Sequence, residues 1–533
     1  MLQGWIQIIV FAAVLFAIVP LLGGYMARVF SYEARRPQTW KAYAGSVIAF
    51  SAMSWLLLYA ILRTQTLHPF NPNGFHSGTW DLSFNTASSF VTNTNWQYYG
   101  GETTLSNFSQ MAGLAVQNFL SAGVGIVVVI ALIRGIAGRP LGNFFEDLTR
   151  VVLRVLLPIS FVGALVLASQ GVVQSLSLPV ASQEIIKVLG TNGGGFFNVN
   201  SAMPFENANG LTNFLEMLAM LAIPASLTFT FGRMVGNRRQ GWTIFGAMFV
   251  LFAISVTVVY LAESDVTPAQ HAAGIVGANL EGKEVRFGTA GSSLWTAITT
   301  ATSTGAVNSA FESLTGIGGL VPMVNLAYGE SVFGGVGTGL YTILLYALLA
   351  VFIGGLMVGR TPEYLGKKIE AREVKLVVLG LLFTPLAILV ATSLATSLKY
   401  GGPSVFASGP QGFSESLYAY MSQANNNGSA FAGYTGYFQP EPGNLGAHGI
   451  TFADLLGGMT MMLARFIPIV FTLAVAGVMV TKRVAPAGLG TMRTDTPTFA
   501  GLLIGVVVLI GALTFFPALL LGPVVQGMTD RLF

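Results

Sequence analysis

Four short polar stretches recur along this chain of 533 residues: Thr92-Asn93-Thr94-Asn95, Thr191-Asn192-Gly193-Gly194, Thr302-Ser303-Thr304-Gly305 and Asn425-Asn426-Asn427-Gly428. Their chemistry is that of oxygen ligands. Glycine closes three of them, and glycine reaches positive φ freely, the conformation that turns a peptide carbonyl inward. Asn95 closes the first, and asparagine is among the few residues that tolerate that region. The Thr and Ser hydroxyls add further oxygens. Four such corners on one pseudo-fourfold axis would stack rings of oxygens able to replace the water around a dehydrated monovalent cation. One stretch of this composition alone would be an ordinary turn. Four in the same setting are not.

The setting is repeated with them. Each stretch follows a short, mildly apolar run: Ser83–Val91, Ser182–Gly190, Ser292–Ala301 and Phe413–Ala424. Crossing a bilayer takes about 20 apolar residues, so each run predicts a half-helix that enters from one side and stops midway. Its negative C-terminal end then faces the cation. Non-helical backbone at that depth persists only where it lines a cavity or is buried in protein. A full span precedes each unit, and another follows directly or after a loop.

Composition names the solvent. The chain is 53% hydrophobic and 9% charged, with a mean hydropathy of +0.67, whereas an ordinary soluble domain carries about 25% charged residues. A soluble enzyme is excluded. The formal charge of +4, from 26 Lys+Arg against 22 Asp+Glu, leaves no dense basic face for nucleic acid. The absence of Cys excludes disulfides, thiolate catalysis and Cys-based zinc or iron–sulfur sites. His68, His76, His271 and His448 are scattered without metal-ligand spacing and read as loop residues.

Ten spans are predicted, at 3–26, 44–63, 111–133, 151–170, 211–232, 241–262, 338–358, 375–398, 456–480 and 499–521. The first lacks the basic flank of a cleaved leader. Lys and Arg gather in Arg28–Lys41, Arg134–Arg154, Arg233–Arg239, Arg360–Lys375 and Lys482–Arg493. These connections follow every second span, which marks their side as cytoplasmic and puts both termini outside. No polar stretch is long enough for a soluble catalytic domain. The expected fold is an all-α polytopic membrane protein of ten transmembrane helices. Four span–pore-helix–span repeats (44–140, 141–240, 241–370 and 371–495) lie between an extra first span with its link (1–43) and an extra last span (496–533).

At the level of motifs the chain resembles the potassium-binding A subunits of bacterial Kdp ATP-driven potassium pumps, within the superfamily of Trk/Ktr-like transporters. The resemblance covers essentially the whole chain. It is carried by Gly190-Thr191-Asn192-Gly193-Gly194-Gly195-Phe196-Phe197-Asn198 with Asn200-Ser201-Ala202, and by Gly359-Arg360-Thr361-Pro362-Glu363-Tyr364-Leu365-Gly366-Lys367-Lys368. Thr92-Asn93-Thr94-Asn95-Trp96-Gln97-Tyr98-Tyr99 and Phe333-Gly334-Gly335-Val336-Gly337 add to it. The resemblance implies an outward-facing selectivity filter at the four stretches, flanked by Gln97 and Gly195, with K⁺ as the transported ion and no organic cofactor. It also implies partners: a P-type ATPase B subunit, an accessory C subunit and a small single-span subunit in the bacterial cell (inner) membrane. K⁺ would pass from this subunit through an internal tunnel to the ATPase.

Two charged residues stand out at span depth. Glu330 lies in a Gly-rich insertion, with Gly334 and Gly335, between the third stretch and its basic end. This predicts a broken span whose polar middle gates the pore or opens it sideways; the bland alternative is an outer loop with a solvated Glu. Arg465 sits mid-span in Met461-Met462-Leu463-Ala464-Arg465-Phe466-Ile467-Pro468. A charge there costs at least ~2.5 kcal/mol on insertion scales and calls for an interior partner, with Glu216, Glu312 and Glu330 as candidates. It would either repel ions moving straight through or form a structural ion pair. Arg360, Lys367 and Lys368 read as topology or anionic-lipid charges, or as a dock for the ATPase. The excess length of the fourth repeat reads as an outer loop, Tyr434–Thr451.

The expected function is K⁺ binding and translocation without ATP hydrolysis, since neither a Gly-x-x-x-x-Gly-Lys-Ser/Thr loop nor an Asp-Lys-Thr-Gly phosphorylation sequence is present. A stand-alone Trk/Ktr-type channel or secondary transporter is the alternative. An intramembrane enzyme would need a His-Glu-x-x-His pair, paired Asp or a Ser/His constellation within spans. His-Glu-x-x-His is absent, and the four His are read as lying outside the spans.

Overall fold

Among the described residues, ten helices are long and apolar enough to cross a bilayer. They are, in order, spans one to ten: Leu2–Phe30, Trp40–Arg63, Ser109–Ile136, Phe144–Ser169, Gly210–Met234, Arg238–Glu263, Thr338–Met357, Ala371–Ser397, Thr451–Thr481 and Pro497–Met528. The computed structural model describes residues 1–435, 445–484 and 491–528, the side chains of residues 269 and 445–450 excepted. The protein is an all-α, multi-pass membrane protein. Among the described residues the one paired sheet is a hairpin, Glu363–Tyr364 against Lys367–Lys368.

Nine of the ten spans fall into two layers, and span six, 56% buried, lies between them. Spans three, five, seven and nine have 89%, 78%, 72% and 61% of their apolar windows buried, against 22–33% for spans one, two, four, eight and ten. Span three shows why. Ala122 to Ile133 is Gly, Ala, Val, Ile and Leu on every face, and every residue of it is buried. A helix apolar all round has no side to give to water and belongs in the middle. The inner four are the spans that follow the half-helices.

Those half-helices are Trp80–Val91, Val180–Leu189, Gly288–Ala301 and Gly409–Ala424. Each begins two to four residues before its sequence-predicted start. Asp81, Pro179, Gly288, Gly409 and Pro410 stand in or just before those first turns, and such residues read locally as loop. The third unit carries an additional short helix, Gly316–Ala327, before span seven. Thr315 caps it, its hydroxyl accepting from the Gly318 N–H at 3.0 Å.

On the basic side, spans three and nine cross closely. A Cβ on Gly135 would lie 2.9 Å from the Cα of Ala476, so only glycine lets the backbones meet. Lys367 joins them there, its Nζ donating to Gly135 O at 3.0 Å and Met479 O at 2.5 Å. Cations suit helix C-terminal carbonyls. Lys367 is buried, which corrects its reading as an anionic-lipid charge. Lys482 binds the far edge of the hairpin, reaching Glu370 at 3.0 Å and Glu373 at 2.7 Å.

Other expectations change. The last inner helix starts at Leu445, not after Thr451, which shortens the supposed outer loop; residues 436–444 of that loop lie outside the described residues. His271 sits in a short helix, Pro268–Ala272, and position 448 falls in the first turns of the helix that starts at Leu445.

Candidate functional site: four corners and a broken span

The four polar stretches meet. A Cβ added to Gly428 of the fourth would strike Thr94 O of the first, and one on Gly194 would lie 2.7 Å from Asn95 O. A Cβ on Gly193 of the second would strike Thr304 O of the third, and one on Gly305 would strike Asn427 O of the fourth. First touches second, second third, third fourth, and fourth first. The ring is closed, and its backbone contacts leave no room for larger residues.

Each half-helix stops at Thr92, Gly190, Thr302 or Asn425. The next residues alternate through positive φ in one pattern: Asn93 (+74°) and Asn95 (+57°), Thr191 (+49°) and Gly193 (+98°), Ser303 (+48°) and Gly305 (+88°), Asn426 (+52°) and Gly428 (+97°). This corrects the register of the second stretch. Gly190-Thr191-Asn192-Gly193 is the equivalent of the other three quartets, and Gly194 follows the ring. Positive φ costs a non-glycine residue roughly 1–2 kcal/mol, so five of the eight positions hold strained side-chain-bearing residues. Strain of this kind persists only where the surroundings over-determine it.

The surroundings are amides and hydroxyls. Asn93 Nδ2 donates to Thr191 O at 2.8 Å, and its Oδ1 accepts from Asn192 Nδ2 and from Ser121 Oγ at 2.8 Å. Asn427 Nδ2 donates to Thr299 O at 2.9 Å, and Asn426 Nδ2 to Thr94 Oγ1 at 2.9 Å. Thr92 and Thr94 hydroxyls bond each other at 2.8 Å, and Thr302 and Thr304 do so at 2.7 Å. The side chains therefore spend their bonds bracing the corners. Gln97 Nε2 donates to Gly195 O at 3.1 Å, linking the flanks of stretches one and two.

Cavities lie on both sides of the ring. On the half-helix side, a cavity of about 420 Å³ is lined by Gln97, Asn200, Glu284, Gly305, Asn308 and Gly428, among others. Lys283 on its wall is neutralised by Glu263 at 2.5 Å. Burial works to raise the Glu284 carboxyl, but the hydrogen bond and charge of Arg286 outweigh it and hold the group below the ordinary glutamate value. The mouth thus holds two ion pairs, Lys283 with Glu263 and Arg286 with Glu284. Beyond the ring, a cavity of about 30 Å³ is bounded by Glu330, Thr338, Asn425, Asn426 and Pro468, among others, the space of about one water molecule.

The inner span of the third unit is broken, as its glycines suggest. Gly316–Ala327 and Thr338–Met357 are separated by residues 328–337. Glu330 lies in the break with φ +61° and is 6% exposed, not a solvated loop residue. Its Oε2 accepts from the Gly335 N–H at 3.2 Å. The Gly334 N–H donates to Ala301 O at 2.9 Å, at the end of the third half-helix. Arg465 is buried, and its Nη1 donates to Thr338 Oγ1 at 2.7 Å. Among the described residues no carboxylate oxygen lies within ion-pair distance of Arg465, which corrects the expected pairing. Glu312 bonds Gln411 and the Gly433 N–H on the half-helix side, and Glu216 faces Glu184. Glu330 is the nearest in kind, set across Thr338 from the guanidinium.

Sequence reasoning missed the charged group behind the second corner, where Glu184, Lys187, Glu206 and Glu216 are all fully buried. The signal was present. Glu184 and Lys187 are three apart on a half-helix, where charges are costly.

A sequence-family model described as potassium-transporting ATPase A subunit matches residues 12–528. The potassium-transporting ATPase potassium-binding subunit of Methylorubrum extorquens is 51% identical over 567 aligned positions, covering 98% of this chain and 97% of that one. The protein of the same description from Methylobacterium nodulans is 50% identical, covering 99% and 98%. Among solved structures, the potassium transporter TrkH from Vibrio parahaemolyticus aligns with a TM-score of 0.55 over 89% of this chain and 96% of that one, at 15% identity. That likeness is one of fold.

Proposed function

This chain belongs to the family of potassium-transporting ATPase A subunits, and from that premise we propose that its ring of corners is the K⁺-selectivity filter of an ATP-driven uptake pump. The observation that carries the assignment is the closed ring itself: four quartets with one φ pattern, each braced on the next.

K⁺ enters the larger cavity from outside the cell. It loses water as carbonyls of Thr92–Asn95, Gly190–Gly193, Thr302–Gly305 and Asn425–Gly428 take its place. The preformed corners keep their spacing by the amide bonds described above. Gly194, Gln97 and Gly195 hold the outer edge, and Thr191 and Asn192 belong to the second corner itself. The ion then reaches the small cavity, where Glu330 stabilises a cation. Arg465, beside Thr338, opposes straight passage toward the basic side. The break at 328–337, with Gly334 and Gly335, offers the way sideways to a P-type ATPase subunit.

ATP hydrolysis belongs to that subunit, and this chain is the non-hydrolytic member. An accessory subunit and a small single-span subunit complete the complex. It lies in the bacterial inner membrane with the basic side cytoplasmic and both termini outside. The four repeats are 44–140, 141–240, 241–370 and 371–495. The test is K⁺-stimulated ATPase activity of the purified complex carrying Gly305→Ala or Gly428→Ala. Lowered K⁺ affinity, or weaker discrimination against Rb⁺ and Na⁺, is the expected result. Unchanged activity in both would remove the filter assignment.

A further inference from the structure

Three carboxyl groups and one ammonium are sealed behind the second corner. Glu184 and Lys187 come from the second half-helix, Glu206 from the loop after it and Glu216 from span five, and all four are 0% exposed. Lys187 Nζ is 2.7 Å from Glu184 Oε2 and 2.5 Å from Glu206 Oε2. Ser201 Oγ donates to Glu184 Oε1 at 2.8 Å. The ammonium therefore serves two of the carboxylates.

Glu216 receives nothing. Neither of its oxygens has a donor among the described residues, and its carboxyl faces Glu184 where span five packs on the second half-helix. Two ionised carboxylates have only acceptors to offer each other. Like charges that share one site cannot both ionise, and an unpaired buried charge is far more expensive than a neutral hydrogen-bonded group. Among the described residues no three His, Cys, Asp or Glu side chains are placed to hold a metal ion.

We propose that Glu216 is a proton-binding site: it is a neutral carboxylic acid in the folded chain at neutral pH, and its hydroxyl donates to Glu184. The bond ties span five to the second half-helix. The same helix ends in the second corner, where Lys187 O accepts the Asn192 N–H at 2.7 Å. The proton therefore sits two hydrogen-bonded groups from the ring.

The charges facing Glu216 are Glu184 and Lys187 from the half-helix and Glu206 from the loop. The third half-helix and span seven pack on span five with no charged side chain, and spans one, three and six carry theirs at their ends: Arg28, Arg134, Arg238, Arg239 and Glu263. Burial, against the pull of Lys187, also pushes Glu206 up to about 8.

The linkage has a definite sign. An unfolded chain releases the Glu216 proton above the ordinary glutamate value of about 4.3, while the folded chain keeps it. Stability therefore falls as pH rises from there, until the folded group also ionises. Glu216→Gln reproduces the neutral donor and needs no proton.

The experiment is thermal unfolding of the full-length protein in detergent, wild type against E216Q, from pH 5 to pH 9, in K⁺ and again in choline. Near pH 5 the two should unfold together. Toward pH 8 E216Q should unfold at the higher temperature, with the ratio of folding constants widening by up to about tenfold per pH unit. An infrared carboxylic-acid band present in wild type at pH 7 and missing in E216Q would agree. E216Q less stable than wild type at pH 8, or unable to fold, overturns the proposal, because Gln preserves the bond of the acid form. A wild-type stability that does not change with pH, or a gain from K⁺ over choline that E216Q loses, overturns it, the latter in favour of an ionised Glu216 holding a monovalent cation.

Discussion

Thr191 Oγ1 accepts a hydrogen bond from the Val336 backbone N–H at 2.9 Å. One residue belongs to the second corner and the other to the break in span seven. The ring and the proposed exit are thus joined by a direct bond between two different repeats. Ion occupancy and the shape of the break have a physical means to influence each other.

Thr191→Val removes the acceptor and leaves the Val336 N–H buried and unpaired, at a cost of about 1–3 kcal/mol. Thr191→Ser keeps it. The valine variant should show a lower unfolding temperature and slower K⁺ transport, and the serine variant should restore both. Equal transport by the two would separate the break from the ring.

Gly305→Ala and Gly428→Ala each place a Cβ at positive φ against the backbone of the neighbouring corner. K⁺ affinity should fall by tenfold or more, since about 1.4 kcal/mol of lost binding is tenfold. Gly246→Ala is the control. Its added Cβ meets nothing within 4 Å, and alanine favours a helix, so K⁺ binding and stability should not fall.

Glu330→Gln keeps the shape of the small cavity and removes its charge. K⁺ binding measured at equilibrium should change little, while K⁺ flux in proteoliposomes should fall several-fold. Wild-type behaviour in both measurements would remove Glu330 from the path.

The hairpin on the basic side should respond to acid. Hydrogen bonds and charge from Lys482, with those of Lys368, hold the exposed Glu370 carboxyl below its ordinary value of 4.5. A depressed carboxyl stabilises above its unfolded value and loses that contribution as pH falls through its folded one. Hydrogen exchange over residues 363–370 should therefore be slow at neutral pH, after correction for intrinsic rates, and lose protection only below the ordinary glutamate range. Lys367→Met should speed it at all pH values.

Much of this was legible because hydropathy reports directly on membrane depth. The spans and the four half-helices follow from apolar length alone, and the break in span seven from glycines where a helix should run. The register of the second corner was not legible. Gly190 to Gly195 offers glycine at four of six positions, and composition cannot say which one turns. Backbone φ chooses Gly193. The surroundings of Arg465 were equally hidden. A buried cation announces that it has a partner, but the choice of Thr338 over a carboxylate is set by how spans seven and nine meet. The buried group at Glu216 is assembled from three separate segments, and no local pattern joins them.

The quarters of the ring are covalently one molecule, and this has a consequence for direction. A homotetramer that interrupts one inner helix must interrupt all four, and would offer four equivalent side doors. Here, among the described residues, the interruption at 328–337 occurs in one inner helix alone. On the proposed path, symmetry is kept where the ion is surrounded and broken where it leaves by a single route.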